Sequence, residues 1–146
     1  MYRHILIAVD GSDFSARAAE HGLALAAAVG APVTVITVTP TWKAIGLSEL
    51  ALGYTEDQYA ERAKAYGNRC LESVLATAAD QNVPCNALQV IHDRPYEAIV
   101  EAADQTGCDL IVVGSHGRQG AARMLLGSET SRVLTLSKVP VLVYRG

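Results

Sequence analysis

The sequence has 146 residues, 50% of them hydrophobic and 18% charged, so it can bury one core and is too apolar to be disordered. Its net charge of -3 gives no indication of a basic face, so we expect neither nucleic acid nor an anionic membrane surface as a partner. Three cysteines without a Cys-x-x-Cys pair indicate reduced thiols, and we expect residues 1–146 to form a single domain.

The sequence pattern favours neither a membrane span nor a signal peptide. The apolar run before Asp10 is too short for a signal peptide core. The longest uncharged stretch, residues 22–42, is broken by Gly30 and Pro32, and its second half alternates valine with threonine, which predicts a helix end followed by a strand. We therefore expect a cytoplasmic protein without a membrane partner.

Hydrophobic periodicity divides the chain into alternating strands and helices. Runs of β-branched apolar residues predict strands, and apolar residues at helical spacing predict helices. The predicted elements, in chain order, are a strand at 3–9, a helix ending at 29, a strand at 33–39, a loop at 40–53, a helix at 55–81, a strand at 85–91, a helix at 94–107, a strand at 109–113, a helix at 128–137 and a strand at 139–144. Connections of this length join parallel strands, so the alternation predicts an α/β fold with helices on both faces of a parallel sheet.

A glycine-rich segment follows the fourth predicted strand. It runs GSHGRQG from Gly114 to Gly120, and a second pair, Gly127-Ser128, precedes the last predicted helix. Glycine lets a phosphate approach backbone N–H groups closely, and a helix N-terminus attracts anions, so the segment suits phosphate binding. It is neither a Walker A loop nor a G-x-G-x-x-G fingerprint, so on spacing alone it can also be a set of tight turns.

Asp10 directly follows the first predicted strand. In open α/β sheets, ligands lie beyond the carboxyl ends of the strands, where the strand order switches, and Gly114 also follows such a strand end. We therefore expect the Asp10 carboxylate either to bind a base or ribose or to do no more than shape the turn.

The spacing Gly114-x2-Gly117-x9-Gly127-Ser128 resembles the ATP-binding signature of the universal stress protein family. Three further segments fit the same family: ILIAVDGS near the start, DLIVVGSHGR before the loop and PVLVYR near the end. The resemblance therefore covers essentially the whole chain. It implies a Rossmann-like, open five-stranded parallel sheet of order 3-2-1-4-5 that binds ATP, ADP or AMP. It also implies a homodimer through strand 139–144, which the apolar character of an edge strand favours independently.

The resemblance further implies a role for each matched residue. Asp10 would contact the adenosine, the backbone of Val38 would meet the adenine edge, and Gly114 would lie by the ribose. The residues implied at the phosphates are Gly117, Arg118, Gly127, Ser128, Glu129 and Thr130. A Mg²⁺ ion would be held through the phosphates and water.

Glu129 departs from the family pattern, which usually has a small or apolar residue after the Gly-Ser pair. A carboxylate in the first turn of a helix competes with phosphate for the helix dipole, although its backbone N–H remains available. We therefore expect Glu129 to affect triphosphate binding more than nucleotide binding itself.

The sequence favours binding over catalysis. His92 and His116 belong to no recognisable catalytic or metal-ligand motif, and each is expected either to reach the ligand or to serve as a loop residue. We expect a nucleotide-binding regulatory protein of the stress response, with at most weak ATP hydrolysis and an unidentified protein partner. The alternative is an interaction module of the same fold that binds no nucleotide. ATP pyrophosphatases and nucleotidyl transferases require signatures that this sequence lacks.

Overall fold

The computed structural model describes residues 1–116 and 126–146 of the chain. Its ten helices and strands within these ranges are β1 Ile5–Ala8, α1 Asp13–Val29, β2 Val33–Thr39, α2 Trp42–Ala51, α3 Glu56–Asp80, β3 Cys85–Ile91, α4 Pro95–Thr106, β4 Leu110–Gly114, α5 Ser128–Leu136 and β5 Val141–Tyr144. The α/β alternation predicted from the sequence is confirmed.

The five strands form one parallel sheet in the order β3-β2-β1-β4-β5. β1 lies at the centre, with Ile5 opposite Val33 of β2 on one edge and Leu110 of β4 on the other. The chain moves outward to β3 on one side and then returns through α4 to β4 on the other side. This reversal confirms the predicted order and opens a crevice at the carboxyl ends of β1 and β4.

Two hydrophobic clusters, one on each face of the sheet, make up the core. Ile5 and Ile7 point to the face covered by α1 and α3, while Leu6 points to the face covered by α4 and α5. All three side chains are fully buried. A strand that is buried on both faces reads as continuously apolar, which is why β1 is recognisable in the sequence.

Local signals explain where the principal helices begin and end. The Ser12 side chain accepts the N–H of Ser15 at the start of α1, and Gly30 ends that helix in the left-handed conformation at φ 71°. Thr55 and Gln58 form a reciprocal capping box at the start of α3. α4 begins with Pro95 and ends at Gly107, which also has φ 71°.

Helix α2 was not predicted; the sequence pattern indicated a loop at 40–53. The helix has no buried residue, so it lacks the apolar periodicity from which helices are recognised. It is held instead by tertiary contacts that a sequence pattern does not show. The Trp42 ring packs on Tyr59 of α3, and Asp93 accepts hydrogen bonds from the N–H and hydroxyl of Thr41 at the helix start. The Thr41 hydroxyl lowers the pKa of Asp93 below its ordinary value.

None of the helices in the described ranges is long and apolar enough to span a bilayer.

A prediction concerns Asp109, which ties the start of β1 to β4. Its carboxylate accepts the backbone N–H groups of Arg3 and His4 at 2.9–3.1 Å. Desolvation alone would raise the pKa of Asp109, but these hydrogen bonds outweigh it and the pKa is lowered. The ionised form therefore stabilises the fold above about pH 4, the unfolded pKa, and that contribution is lost as the pH falls through the lower folded pKa.

We expect Asp109→Asn to lower the midpoint of thermal unfolding at pH 7 by about 2–4 °C, and to flatten its fall between roughly pH 4 and pH 2. Thermal melts across this pH range measure both effects. Asp104→Asn, at an exposed aspartate of α4, is the matched control and should change neither. Identical pH profiles for Asp109→Asn and the wild type would contradict the prediction.

Candidate functional site

A cleft of about 510 Å³ opens at the carboxyl ends of the central strands, on the face that α4 and α5 cover. The strand ends supply one wall, and the first turns of α4 and α5 supply the other. Its lining residues are Ala8, Val9, Asp10, Ser15, Ile36, Val38, Pro40, Pro95, Ile99, Val113, Gly114, His116, Gly127, Ser128, Glu129, Thr130 and Val133. The cleft thus lies where the strand order predicts a ligand.

Asp10 lies in the turn from β1 to α1, which its own groups help to shape. The carboxylate accepts the N–H of Ser12 at 2.9 Å, and the Asp10 N–H donates to the hydroxyl of Ser15 at 3.2 Å. Because one carboxylate oxygen can accept further hydrogen bonds, this turn geometry leaves Asp10 able to contact a ligand in the cleft. The two roles that the sequence left open are therefore compatible.

Tyr66 of α3 fixes the same turn from the opposite side, and sequence reasoning missed it. Its hydroxyl donates to the Asp10 carbonyl at 2.8 Å. The tyrosine reaches that carbonyl past Gly11, which has φ 85° and where a Cβ would overlap the Tyr66 hydroxyl. Gly11 is therefore required both by its backbone conformation and by the space that Tyr66 fills. In the sequence, only Gly11 indicated a close approach at this turn, because Tyr66 is distant from it along the chain.

Val38 presents backbone polar groups to the cleft. The Val9 N–H donates to the Ile36 carbonyl at 2.9 Å, so the backbone groups of Ile36 face β1. Alternate residues of a strand face the same neighbour, so the N–H and C=O of Val38 also point to this side. β1 has ended at Ala8, and β2 continues to Thr39. The Val38 backbone is thereby directed into the space beyond the end of β1.

Gly114, the last residue of β4, is required by close packing. A Cβ on Gly114 would lie 3.1 Å from the backbone carbonyl of Phe14, so glycine allows the first turn of α1 to approach the strand end. The Gly114 carbonyl accepts the buried hydroxyl of Thr130 at 2.8 Å, and the Ser115 carbonyl accepts the Gly127 N–H at 2.8 Å. These two bonds tie the start of α5 to the end of β4.

The N-terminus of α5 lies at the cleft, which is lined by the first-turn residues of this helix. Gly127 is the N-cap and provides no side-chain hydrogen bond to the helix. Ser128, Glu129 and Thr130 occupy the first turn, where backbone N–H groups have no partner within the helix. Such a terminus favours a negatively charged group.

The Glu129 side chain is engaged by the neighbouring helix. Its Oε2 accepts the N–H of Tyr96, in the first turn of α4, at 3.0 Å. Its Oε1 lies 3.5 Å from the guanidinium of Arg132. The carboxylate therefore caps α4 from α5, a connection between distant residues that the sequence pattern does not reveal.

His116 and His92 differ in their relation to the cleft. His116 is buried in its wall, with Nδ1 3.1 Å from the Ser115 hydroxyl and its ring 5.3 Å from that of Phe14. His92 lies outside the cleft lining, and its Nδ1 accepts the N–H of Arg94 at 2.9 Å. This bond makes His92 a loop-stabilising residue, one of the two roles that the sequence left open.

His92, Glu97 and Glu101 bring possible ligand atoms within 4.8 Å of one another. The fold creates this cluster, because the two glutamates are one helical turn apart on α4 and the β3–α4 loop places His92 beside them. A neutral imidazole that accepts a hydrogen bond at Nδ1 carries its proton on Nε2, and a protonated nitrogen does not bind a metal. In that tautomer the Nε2–H of His92 points towards the Glu97 carboxylate, which lies 3.8 Å away.

The structure brings seven of the nine predicted site residues to one cleft. They are Asp10, Val38, Gly114, Gly127, Ser128, Glu129 and Thr130. Gly117 and Arg118 lie outside the described residues. The roles of all nine in binding stay predictions.

Comparison with known proteins points to one family. The universal stress protein family matches residues 1–145. Universal stress protein MJ0531 of Methanocaldococcus jannaschii is 35% identical over 145 residues, covering 99% of this chain and 83% of the relative. The solved structure of MJ0577 from the same organism has a TM-score of 0.82 at 27% identity, covering 98% of this chain and 95% of that chain. A universal stress protein solved in complex with cAMP has a TM-score of 0.73 at 27% identity, covering 98% and 97%.

A prediction follows from the contact between Tyr66 and Asp10. Tyr66→Phe removes the hydroxyl that donates to the Asp10 carbonyl and keeps the ring, so we expect a loss of about 1 kcal/mol of unfolding free energy. Chemical denaturation measures the loss, and the amide resonance of Gly11 should shift. Tyr54→Phe, whose ring stacks under Arg62 away from the turn, is the control. Equal stability of Tyr66→Phe and the wild type, with an unmoved Gly11 resonance, would show that this bond does not hold the turn.

Proposed function

This chain belongs to the universal stress protein family, and from that premise we propose that it binds an adenine nucleotide and acts as a regulatory protein in the stress response. The observation that carries the proposal is the cleft of about 510 Å³ at the strand-order switch, which is lined by the end of β2 and by the first turn of α5. A cleft of this size suits a ligand of nucleotide dimensions.

The adenosine end of the ligand would lie between Asp10 and Val38. The N–H and C=O of Val38 match the adjacent acceptor and donor on the Watson–Crick edge of adenine, and Asp10 would accept hydrogen bonds from the ribose. Apolar side chains on the same face, including Ile36, Ile99 and Val133, supply surface for the flat base. Guanine presents the reversed donor and acceptor pattern and would leave the Val38 groups unsatisfied.

The phosphate end would lie on the first turn of α5. The amides of Ser128, Glu129 and Thr130 suit a phosphate because they are unpaired in the helix and lie at the positive end of its dipole. Gly117 and Arg118 are also proposed to bind the phosphates, and a Mg²⁺ ion would be held through the phosphates.

The relative solved with cAMP supports this class of ligand, because it is 27% identical to this chain over nearly the whole length. Residues 1–146 would act as a single nucleotide-binding domain in the cytoplasm and signal the bound state to a protein partner. The exposed leucines Leu47 and Leu50 of α2 and Leu52, which follows it, favour a protein-interaction role for the same fold as a second candidate.

The proposed assembly is a homodimer through the edge strand β5. Among residues 1–116 and 126–146 this strand pairs with β4 on one side only, and all four of its residues are half-buried. An apolar edge strand with an unpaired side can pair with its copy in a symmetric dimer.

Isothermal titration of the purified protein tests nucleotide binding. We expect at least one of AMP, ADP and ATP to bind, and GMP to bind at least about tenfold more weakly than AMP because it mismatches the Val38 backbone. Little or no turnover should accompany binding. The absence of binding heat, thermal shift and copurifying nucleotide would contradict the proposal and favour the interaction module.

Light scattering of a lysine variant tests the dimer. Val143→Lys puts a charge on the β5 edge and should raise the Kd of the dimer at least about tenfold, which increases the monomer fraction at equal concentration. Ile91→Lys, at the exposed end of β3 on the opposite edge of the sheet, is the matched control and should leave the dimer intact. A wild type that stays monomeric at high micromolar concentration would overturn this assembly.

A further inference from the structure

We propose that Glu129 makes the cleft prefer adenine nucleotides with a single phosphate over those with two or three, an inference that rests on the nucleotide binding proposed above. The residue lines the cleft and belongs to the first turn of α5, the turn whose amides suit a phosphate. Its carboxylate is therefore a fixed negative charge beside the phosphate end of the ligand.

Two contacts keep the carboxylate between the N-termini of α4 and α5. Oε2 accepts the N–H of Tyr96 at 3.0 Å, and Oε1 lies 3.5 Å from Arg132. A glutamate without such contacts could turn away from an incoming phosphate into solvent. Here a turn away from the ligand breaks the hydrogen bond that caps α4, so the charge remains at the cleft wall.

The hydrogen bond from the Tyr96 N–H to Glu129 also prevents the N-terminus of α4 from serving as a second anion site. Arg94, its N-cap, provides no side-chain hydrogen bond, and Pro95, its first residue, has no N–H. The N–H of Tyr96 is consequently the first amide that α4 offers, and Glu129 occupies it. A ligand in the cleft therefore meets the amides of α5 without the additional ones that α4 would supply.

Charge then distinguishes one phosphate from three. Glu129 is the second residue of α5, and a helix rises about 1.5 Å per residue, so a phosphate on the first turn lies within one turn of the carboxylate. A single phosphate can use the α5 amides. Each further phosphate adds negative charge near Glu129, and among the described residues the exposed guanidinium of Arg132, 3.5 Å from Glu129, offsets part of that charge.

Titration of AMP, ADP and ATP into the wild type and three variants tests the proposal. Glu129→Gln keeps an oxygen acceptor for Tyr96 but removes the charge. Relative to AMP, the affinity for ATP should rise on the order of three- to tenfold in this variant, with ADP between them. The rise should shrink in high salt, which screens exposed charges. Glu97→Gln is the matched control, because Glu97 is a first-turn glutamate of α4 that pairs with Arg94 outside the cleft lining.

Glu129→Ala removes the cap as well as the charge, and it separates the two effects. It should raise the ATP to AMP affinity ratio as Glu129→Gln does, and it should also lower the midpoint of thermal unfolding. Tighter binding of AMP than of ATP by the wild type, with the expected rise in both variants, would support the proposal.

Other outcomes would overturn it. An unchanged ratio in Glu129→Gln and Glu129→Ala would show that Glu129 acts only as a helix cap, as would an equal rise in Glu97→Gln. Tighter binding of ATP than of AMP by the wild type would overturn the single-phosphate preference directly. If all three nucleotides fail to bind every protein, the proposed function falls and this inference falls with it, whereas binding with an unchanged ratio overturns this inference alone.

Discussion

The pairing of β1 with β2 on one edge and with β4 on the other is the constraint on which both the core and the cleft depend. The three apolar residues Ile5–Ile7 are fully buried because neighbours cover both edges and both faces of the strand. β1 ends at Ala8, before its neighbour β2, which continues to Thr39. The backbone at the end of β2 therefore faces a gap instead of a strand. This difference in length helps to open the cleft at the carboxyl ends of the central strands.

Two glycines let neighbouring elements close around that crevice. Gly11 leaves room for Tyr66 to reach the turn after β1, and Gly114 leaves room for the first turn of α1 at the end of β4. Both contacts act on the segment that carries Asp10. The position of this carboxylate is therefore decided by α3 and β4, although the residue itself belongs to neither. In a family whose fold supports many binding roles, such packing is what fixes the geometry of a particular site.

Backbone amides satisfy the carboxylates on both sides of the cleft. Asp10 accepts the N–H of Ser12 in its own turn, and Glu129 accepts the N–H of Tyr96 from the neighbouring helix. Each carboxylate thus occupies a backbone N–H that an oxygen of a phosphate or ribose could otherwise accept. In the proposed complex, recognition would depend on which amides remain available, and helix capping, a stabilising feature, would then also influence ligand selection.

Much of the fold could be predicted from local pattern. The apolar runs and the alternation of strands and helices identified the α/β class, because these signals depend on neighbours in the chain. The glycine spacing from Gly114 to Ser128 added the family, and with it the strand order and a set of residues that the structure brings to one cleft.

Tertiary contacts decided what local pattern could not. Helix α2 lacks an apolar stripe and is held through Thr41 and Trp42 by residues distant in the sequence. The same is true of the bond from Tyr66 to the Asp10 turn and of the bond from Glu129 to α4. The sequence determined that Asp10 follows the end of a strand and that Glu129 lies at the start of a helix, since those positions depend on adjacent residues. Where each carboxylate points depends on partners that only the folded chain brings together, so the tertiary structure alone decided it.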